Sequence, residues 1–119
     1  MTICVIDDDE SMRLSLEGLL RSLGHAVSCF PSAESFLASP ARARCACVIS
    51  DVHMPGMSGV DLQAAMRSDG VAAPFVFITA FDDDKARARA MAAGAVCFLK
   101  KPFDAAALIA CLERALAAG

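Results

Sequence analysis

Apolar residues in this 119-residue chain alternate between two rhythms. Ile3 to Ile6, Ala26 to Phe30, Cys45 to Ser50, Phe75 to Ile78 and Val96 to Leu99 are short apolar runs of strand length. Longer stretches with helical spacing separate them. Met12, Leu16, Leu19, Leu20 and Leu23 share one face of a helix that Gly24 ends. Pro31 and Ser32 open a short helix carrying Phe36 and Leu37, with Ser32 as its cap. A third helix runs from Val60 to Arg67, after Gly59. Asp82, Asp83 and Asp84 head a fourth, where acids suit the positive end of the dipole; it continues through Met91 to a stop at Gly94. Asp104 starts the last, with Leu108, Ile109, Leu112 and Leu116 inward. Five strand–helix units follow one another without linker or repeat. That order predicts a single α/β domain: a five-stranded parallel sheet, doubly wound, with helices on both faces.

Composition narrows the function. Eleven basic residues against fourteen acidic ones leave a net charge of −3, which gives no footprint for a nucleic-acid backbone. The opening MTICVIDDDE has no basic start and meets charge early, so it does not read as a signal peptide. The least charged stretch, Val71 to Phe81, is too short to cross a bilayer and contains Pro74. The expectation is a cytoplasmic protein with no membrane contact. None of the six cysteines forms a Cys-x-x-Cys pair, and most lie in apolar runs, so they are expected to act as small buried hydrophobes.

Ligands of open α/β sheets bind beyond the carboxyl ends of the strands. The first strand ends in Asp7, Asp8 and Asp9, the third in Asp51, the fourth in Thr79 and the fifth in Lys100 and Lys101. Only the second, ending at Phe30-Pro31, lacks a polar group, as an edge strand can. Crowded carboxylates repel unless a cation joins them, and an all-oxygen set suits a hard ion such as Mg2+. A lysine and a hydroxyl nearby would bind phosphoryl oxygens, and an aspartate can attack phosphorus to form an aspartyl-phosphate. The residues therefore point to Mg2+-assisted phosphoryl transfer to a carboxylate.

The motifs IDDDE (6–10), SDVHMPGMSG (50–59), Thr79-Ala80 and Lys101-Pro102-Phe103 resemble those of a response-regulator receiver domain. The match covers essentially the whole chain, residues 1–119, with no output domain in it. PSAESFL (31–37) and the MPGMSG loop are most like the FixJ branch, which pairs its receiver with a helix-turn-helix output. The resemblance implies a flavodoxin-like (βα)5 fold with strand order 2-1-3-4-5. It implies that Asp51 is the phosphoacceptor, charged by a sensor histidine kinase or a small phosphodonor. Asp8 would ligate Mg2+ directly and Asp7 through water, with Asp51 and the backbone carbonyl of His53 completing the protein ligands and Asp9 left as a helix N-terminal acid. Thr79 and Lys101 would bind the phosphoryl group, the Lys101–Pro102 peptide would be cis, and Phe98 would turn inward as Thr79 moves. His53 and Phe81 fall at positions that tune loss of phosphate, with Phe81 shielding the phosphoryl group from water.

The implied protein is a two-component signalling switch with a transcriptional output, not an enzyme beyond its own phosphorylation and dephosphorylation. Its partners would be the kinase, the output, and a second copy through the face of the fourth helix, fifth strand and fifth helix. Lys85, Arg87, Arg89, Glu113 and Arg114 would supply contacts there. The competing enzyme reading is a haloacid-dehalogenase-like phosphatase with Asp7 as nucleophile; Ser11 departs from its signature, and Asp51 would go unexplained. A flavin-binding module is opposed by three aspartates where phosphate would sit.

Overall fold

The computed structural model describes residues 2–118. Five strands alternate with five helices: β1 (Thr2–Ile6), α1 (Glu10–Ser22), β2 (Ala26–Phe30), α2 (Ala33–Leu37), β3 (Cys45–Asp51), α3 (Gly59–Ser68), β4 (Phe75–Thr79), α4 (Asp84–Ala92), β5 (Cys97–Lys100) and α5 (Ala105–Ala118). Every ladder is parallel, in the order β2-β1-β3-β4-β5. The expected flavodoxin-like fold is borne out, with β2 at an edge.

Successive side chains of a strand point to opposite faces, and both faces here are covered. Cys4, Ile6, Val48, Phe75 and Phe77 pack with Phe36, Leu62, Met66 and Ala90 beneath α2, α3 and α4. Ile3, Val5, Cys47, Ile49, Val76 and Ile78 pack with Leu16, Leu20, Leu108 and Leu112 beneath α1 and α5. Double burial is why the strands read as unbroken apolar runs.

Polar caps set where the helices begin. The side chains of Asp9, Ser32, Ser58 and Asp83 accept the free amides at the starts of α1, α2, α3 and α4. The acidic triplet divides its work: Asp83 caps α4, Asp84 is its first-turn acid, and Asp82 pairs with Lys100 at 2.8 Å.

Three details differ from the sequence reading. A 3-10 turn, Pro40–Ala43, precedes β3; four residues are too few to carry a helical period. In α5 the fully buried stripe is Leu108, Cys111, Leu112 and Ala115, while Ile109 is only half-buried. The cysteines are not all isolated hydrophobes. Cys97 of β5 and Cys111 of α5 are joined as a disulfide with their Cα atoms 6.0 Å apart, and the thiols of Cys4 and Cys45 lie 2.9 Å apart. The turn after β5 folds α5 back over the strand, and that brings together cysteines 14 residues apart.

Gly59 fixes how closely α3 approaches β3. Its amide donates to the Val52 carbonyl at 2.9 Å, and a Cβ there would strike the Asp51 carbonyl and the Ser50 hydroxyl. Gly59→Ala should therefore destabilise the fold by about 1–3 kcal/mol, read as a lower urea midpoint. An unchanged midpoint would mean the loop relaxes without cost.

Candidate functional site

At the carboxyl rim of the sheet, β1 hands the chain to Asp7, whose amide continues the ladder by donating to the Phe30 carbonyl at 3.2 Å. The side chain of Asp7 is fully buried, and its Oδ1 accepts the Asp9 amide at 2.9 Å. Arg13 reaches back from α1 to the Asp7 carbonyl at 2.7 Å. Asp8 is exposed beside it. Asp9 accepts the amides of Ser11 at 2.9 Å and Met12 at 3.4 Å, so its carboxylate is committed to the helix cap.

Asp51 is the last residue of β3, where the strand is pinned on both sides. The Val52 amide donates to Ile78 of β4 at 3.0 Å, and the Ser50 hydroxyl donates to the Asp51 carbonyl at 2.9 Å. Its residue exposure is 7%, against 0% for Asp7, so Asp51 keeps an opening to solvent where Asp7 has none. The His53 amide donates to its Oδ1 at 3.3 Å. Burial pushes the Asp51 carboxyl above the ordinary aspartate range and the Asp7 charge adds to this, while Lys101 and the His53 amide oppose it.

Lys101 closes the set. Its ammonium lies 3.2 Å from Asp7 Oδ2 and 3.4 Å from Asp51 Oδ2, bridging the two. Its amide donates to the Thr79 carbonyl at 2.7 Å, and the Lys101–Pro102 peptide is cis. Burial works against the charged amine, but the carboxylates of Asp51 and Asp7 outweigh it and raise its pKa. Lys100 points elsewhere, to Asp82.

One carboxylate oxygen each from Asp7, Asp8 and Asp51 lies within 4.8 Å of the others. Three oxygen donors with no thiolate or imidazole among them fit a hard divalent cation, and three acids against one half-buried lysine leave negative charge for it to balance. Asp9 is not of this cluster.

Thr79 is buried, and its hydroxyl is occupied within its own loop: it accepts the Phe81 amide at 3.1 Å and donates to the Phe81 carbonyl at 3.3 Å. Phe98 is half-buried on β5, 6.1 Å from the Phe77 ring, with the Arg87 guanidinium 6.0 Å above its face. A cavity of about 90 Å3, bordered by both Thr79 and Phe98, separates the loop from the strand. Phe81 is 62% exposed and meets the edge of His53, ring centres 5.3 Å apart.

Several positioning contacts had no signature in the sequence. Glu34 of α2 accepts the Met57 amide at 3.0 Å and so anchors the MPGMSG loop. His53 Nε2 lies 3.3 Å from Asp83, which links the loop after Asp51 to the cap of α4. Arg89 is held by Asp61 of α3 at 2.8 Å, and Arg114 lies against Cys97.

The family model described as the response regulator receiver domain matches residues 3–113. The chain is 40% identical over 114 residues to the response regulator TodT of Pseudomonas putida, spanning 96% of this chain and 50% of TodT. It is 41% identical over 114 residues to the transcriptional regulatory protein FixJ of Bradyrhizobium diazoefficiens, spanning 96% of this chain and 56% of FixJ. The chain thus spans about half the length of these curated relatives. Among solved structures it resembles FixJ-N, with a TM-score of 0.88, 38% identity and coverage of 98% of this chain and 93% of that one. It also resembles the response regulator StyR, with a TM-score of 0.92, 43% identity and coverage of 98% and 59%. Among the described residues, no helix is long and apolar enough to cross a membrane.

Proposed function

Because the chain belongs to the response-regulator receiver family, we propose that Asp51 is its phosphoacceptor, and that a sensor histidine kinase or small phosphodonor charges it. The observation carrying this assignment is the convergence of Asp7, Asp8, Asp51 and Lys101 from three strands on one rim, with Lys101 bridging the two buried acids. Asp7 is sealed from solvent and Asp51 is not, which favours Asp51 over Asp7 as nucleophile.

An Asp51 oxygen attacks phosphorus, the bond from phosphorus to the donor's nitrogen or oxygen breaks, and an acyl phosphate remains. Lys101 stays beside the carboxylate and meets the incoming oxygens with a fixed positive charge. Asp7, Asp8 and Asp51, with the His53 carbonyl, would hold Mg2+, which when bound neutralises the acids and draws charge from the phosphoryl oxygens. The Thr79 hydroxyl exchanges its Phe81 bonds for a phosphoryl oxygen, the loop before α4 shifts, and Phe98 moves toward the cavity between them. The changed face of α4, β5 and α5 then engages a transcriptional output or a second copy of the domain. The setting consistent with this is the cytoplasm.

The test is to incubate the protein with acetyl phosphate, with and without Mg2+, and to map the acyl phosphate by peptide. Label at Asp51, lost when EDTA removes the metal, is expected; label at Asp7 would overturn the assignment. Phe81, lying over His53, is proposed to limit water's approach to the phosphoryl group. Phe81→Asn should speed decay of the phosphorylated protein severalfold; an unchanged rate removes that role.

A further inference from the structure

We propose that Cys97 and Cys111 form a redox-controlled tether between β5 and α5, opened and closed by thiol–disulfide exchange with a small dithiol or its disulfide. Four observations converge on this pair. The Cα separation of 6.0 Å lies within the span a disulfide takes without backbone movement. The Arg114 guanidinium donates to Cys97 Sγ and lies 3.7 Å from Cys111 Sγ, so a released thiolate meets a positive charge in place. A groove of about 260 Å3, bordered by Arg87, Met91, Phe98 and Arg114, reaches both cysteines from the surface. Among the described residues the other cysteines are free, and burial pushes the Cys29 thiol up although the Arg13 and Arg21 charges oppose this. Burial pushes the Cys47 thiol up to about 12, while Cys4 and Cys45 share a hydrogen bond and Cys45 also donates to the Ala41 carbonyl.

The exchange balances simply. One thiolate of the reductant attacks Cys111 Sγ, the sulfur–sulfur bond breaks, and Cys97 leaves as a thiolate beside Arg114. The reductant's second thiol then displaces Cys111 from the mixed disulfide. The reductant ends as its cyclic disulfide, and its two protons end on Cys97 and Cys111. Oxidation by a disulfide runs the same steps backwards.

Cys97 immediately precedes Phe98, so the closed bond holds this strand against α5 and the open pair frees it. That the tethered face carries the signal rests on the receiver reading above; the tether itself does not.

The experiment therefore uses unphosphorylated protein. Samples equilibrated with oxidised or reduced dithiothreitol are alkylated with iodoacetamide and mapped by peptide. Expected is labelling of Cys97 and Cys111 only after reduction. Hydrogen exchange should be at least severalfold faster in residues 97–100 and 105–118 of the reduced sample. Equal labelling in both samples, or equal exchange, overturns the proposal. Arg114→Gln should leave the fold intact and slow reduction by dithiothreitol severalfold; an unchanged rate removes Arg114 from the site. Cys111→Ala should abolish the redox dependence of exchange, and persistence of that dependence would also overturn the tether. Absence of label from acetyl phosphate, by contrast, would count against the receiver reading alone.

Discussion

Asp51→Asn protein takes up no phosphoryl group from acetyl phosphate and Mg2+, yet resists urea better than the wild type. Loss of uptake follows because a neutral amide oxygen is a far weaker nucleophile than a carboxylate and its attack on phosphorus cannot leave an acyl phosphate. Gain of stability follows from the electrostatics of the acidic rim itself. Burial and the Asp7 charge both disfavour the Asp51 carboxylate. A carboxyl whose pKa is raised on folding costs nothing below its unfolded value, 3.8, because it is protonated in both states. As pH rises past that point the unfolded chain ionises first, and the full cost is reached above the folded pKa. At neutral pH the neutral amide should thus stabilise the fold, read as a higher urea midpoint, a gain that shrinks towards pH 4. Mg2+ should stabilise the wild type more than the variant, since the variant offers one fewer charged ligand. A variant that still acquires acid-labile phosphate at wild-type yield would remove Asp51 from its proposed role. One less stable than wild type at pH 7 would mean that Lys101 more than repays the desolvation.

The rim was legible because two simple periods locate it. Continuous apolar runs fix the strands, parallel winding puts all their carboxyl ends on one side, and the polar residue after each run then falls at the site. That much brings Asp7 to Asp9, Asp51, Thr79 and the Lys100-Lys101 pair to one rim, and the receiver motifs then single out Asp7, Asp8 and Lys101. That acids head α4 was also legible, but which of Asp82, Asp83 and Asp84 caps it depends on where the first turn closes.

What was hidden depends on contacts between elements whose mutual tilt has no local code. Glu34 is an ordinary first-turn acid in sequence and becomes a loop anchor only because α2 lies beside the MPGMSG turn. His53 and Asp83 are 30 positions apart, and their pairing arises from the packing of the β3–α3 loop against α4. Cys97 and Cys111 were read by spacing rules suited to metal knuckles, which are blind to a strand and helix folding back on each other. The Thr79 hydroxyl shows a different limit. Its position is set by β4, but its bonds to Phe81 belong to one state of a loop, and a sequence encodes both states at once.

Lys101→Met should have the larger effect on stability, in the opposite sense. Methionine nearly matches the lysine stem in volume, so the change removes the ammonium and little packing. Asp7, fully buried, and Asp51 then face each other with no cation between them. Breaking a buried pair by deleting one partner usually costs 3–5 kcal/mol; because the Lys101 side chain is 17% exposed and water can enter in its place, about 2–3 kcal/mol is expected at pH 7. The wild-type contribution is a raised lysine pKa, so it is complete below the unfolded value of 10.5 and is lost only as pH climbs through the folded value above it. In the variant the pH dependence moves to the acids. With the lysine gone nothing of that charge opposes the rise of the Asp51 carboxyl, so the loss should narrow as pH falls towards 4. Millimolar Mg2+ should narrow it at neutral pH as well, because the ion supplies the charge the lysine no longer does. Urea unfolding at pH 5 and pH 7, with and without Mg2+, separates these contributions. A loss that neither acid nor Mg2+ relieves would be a packing defect, and the bridging charge would then not be what makes the acidic rim tolerable.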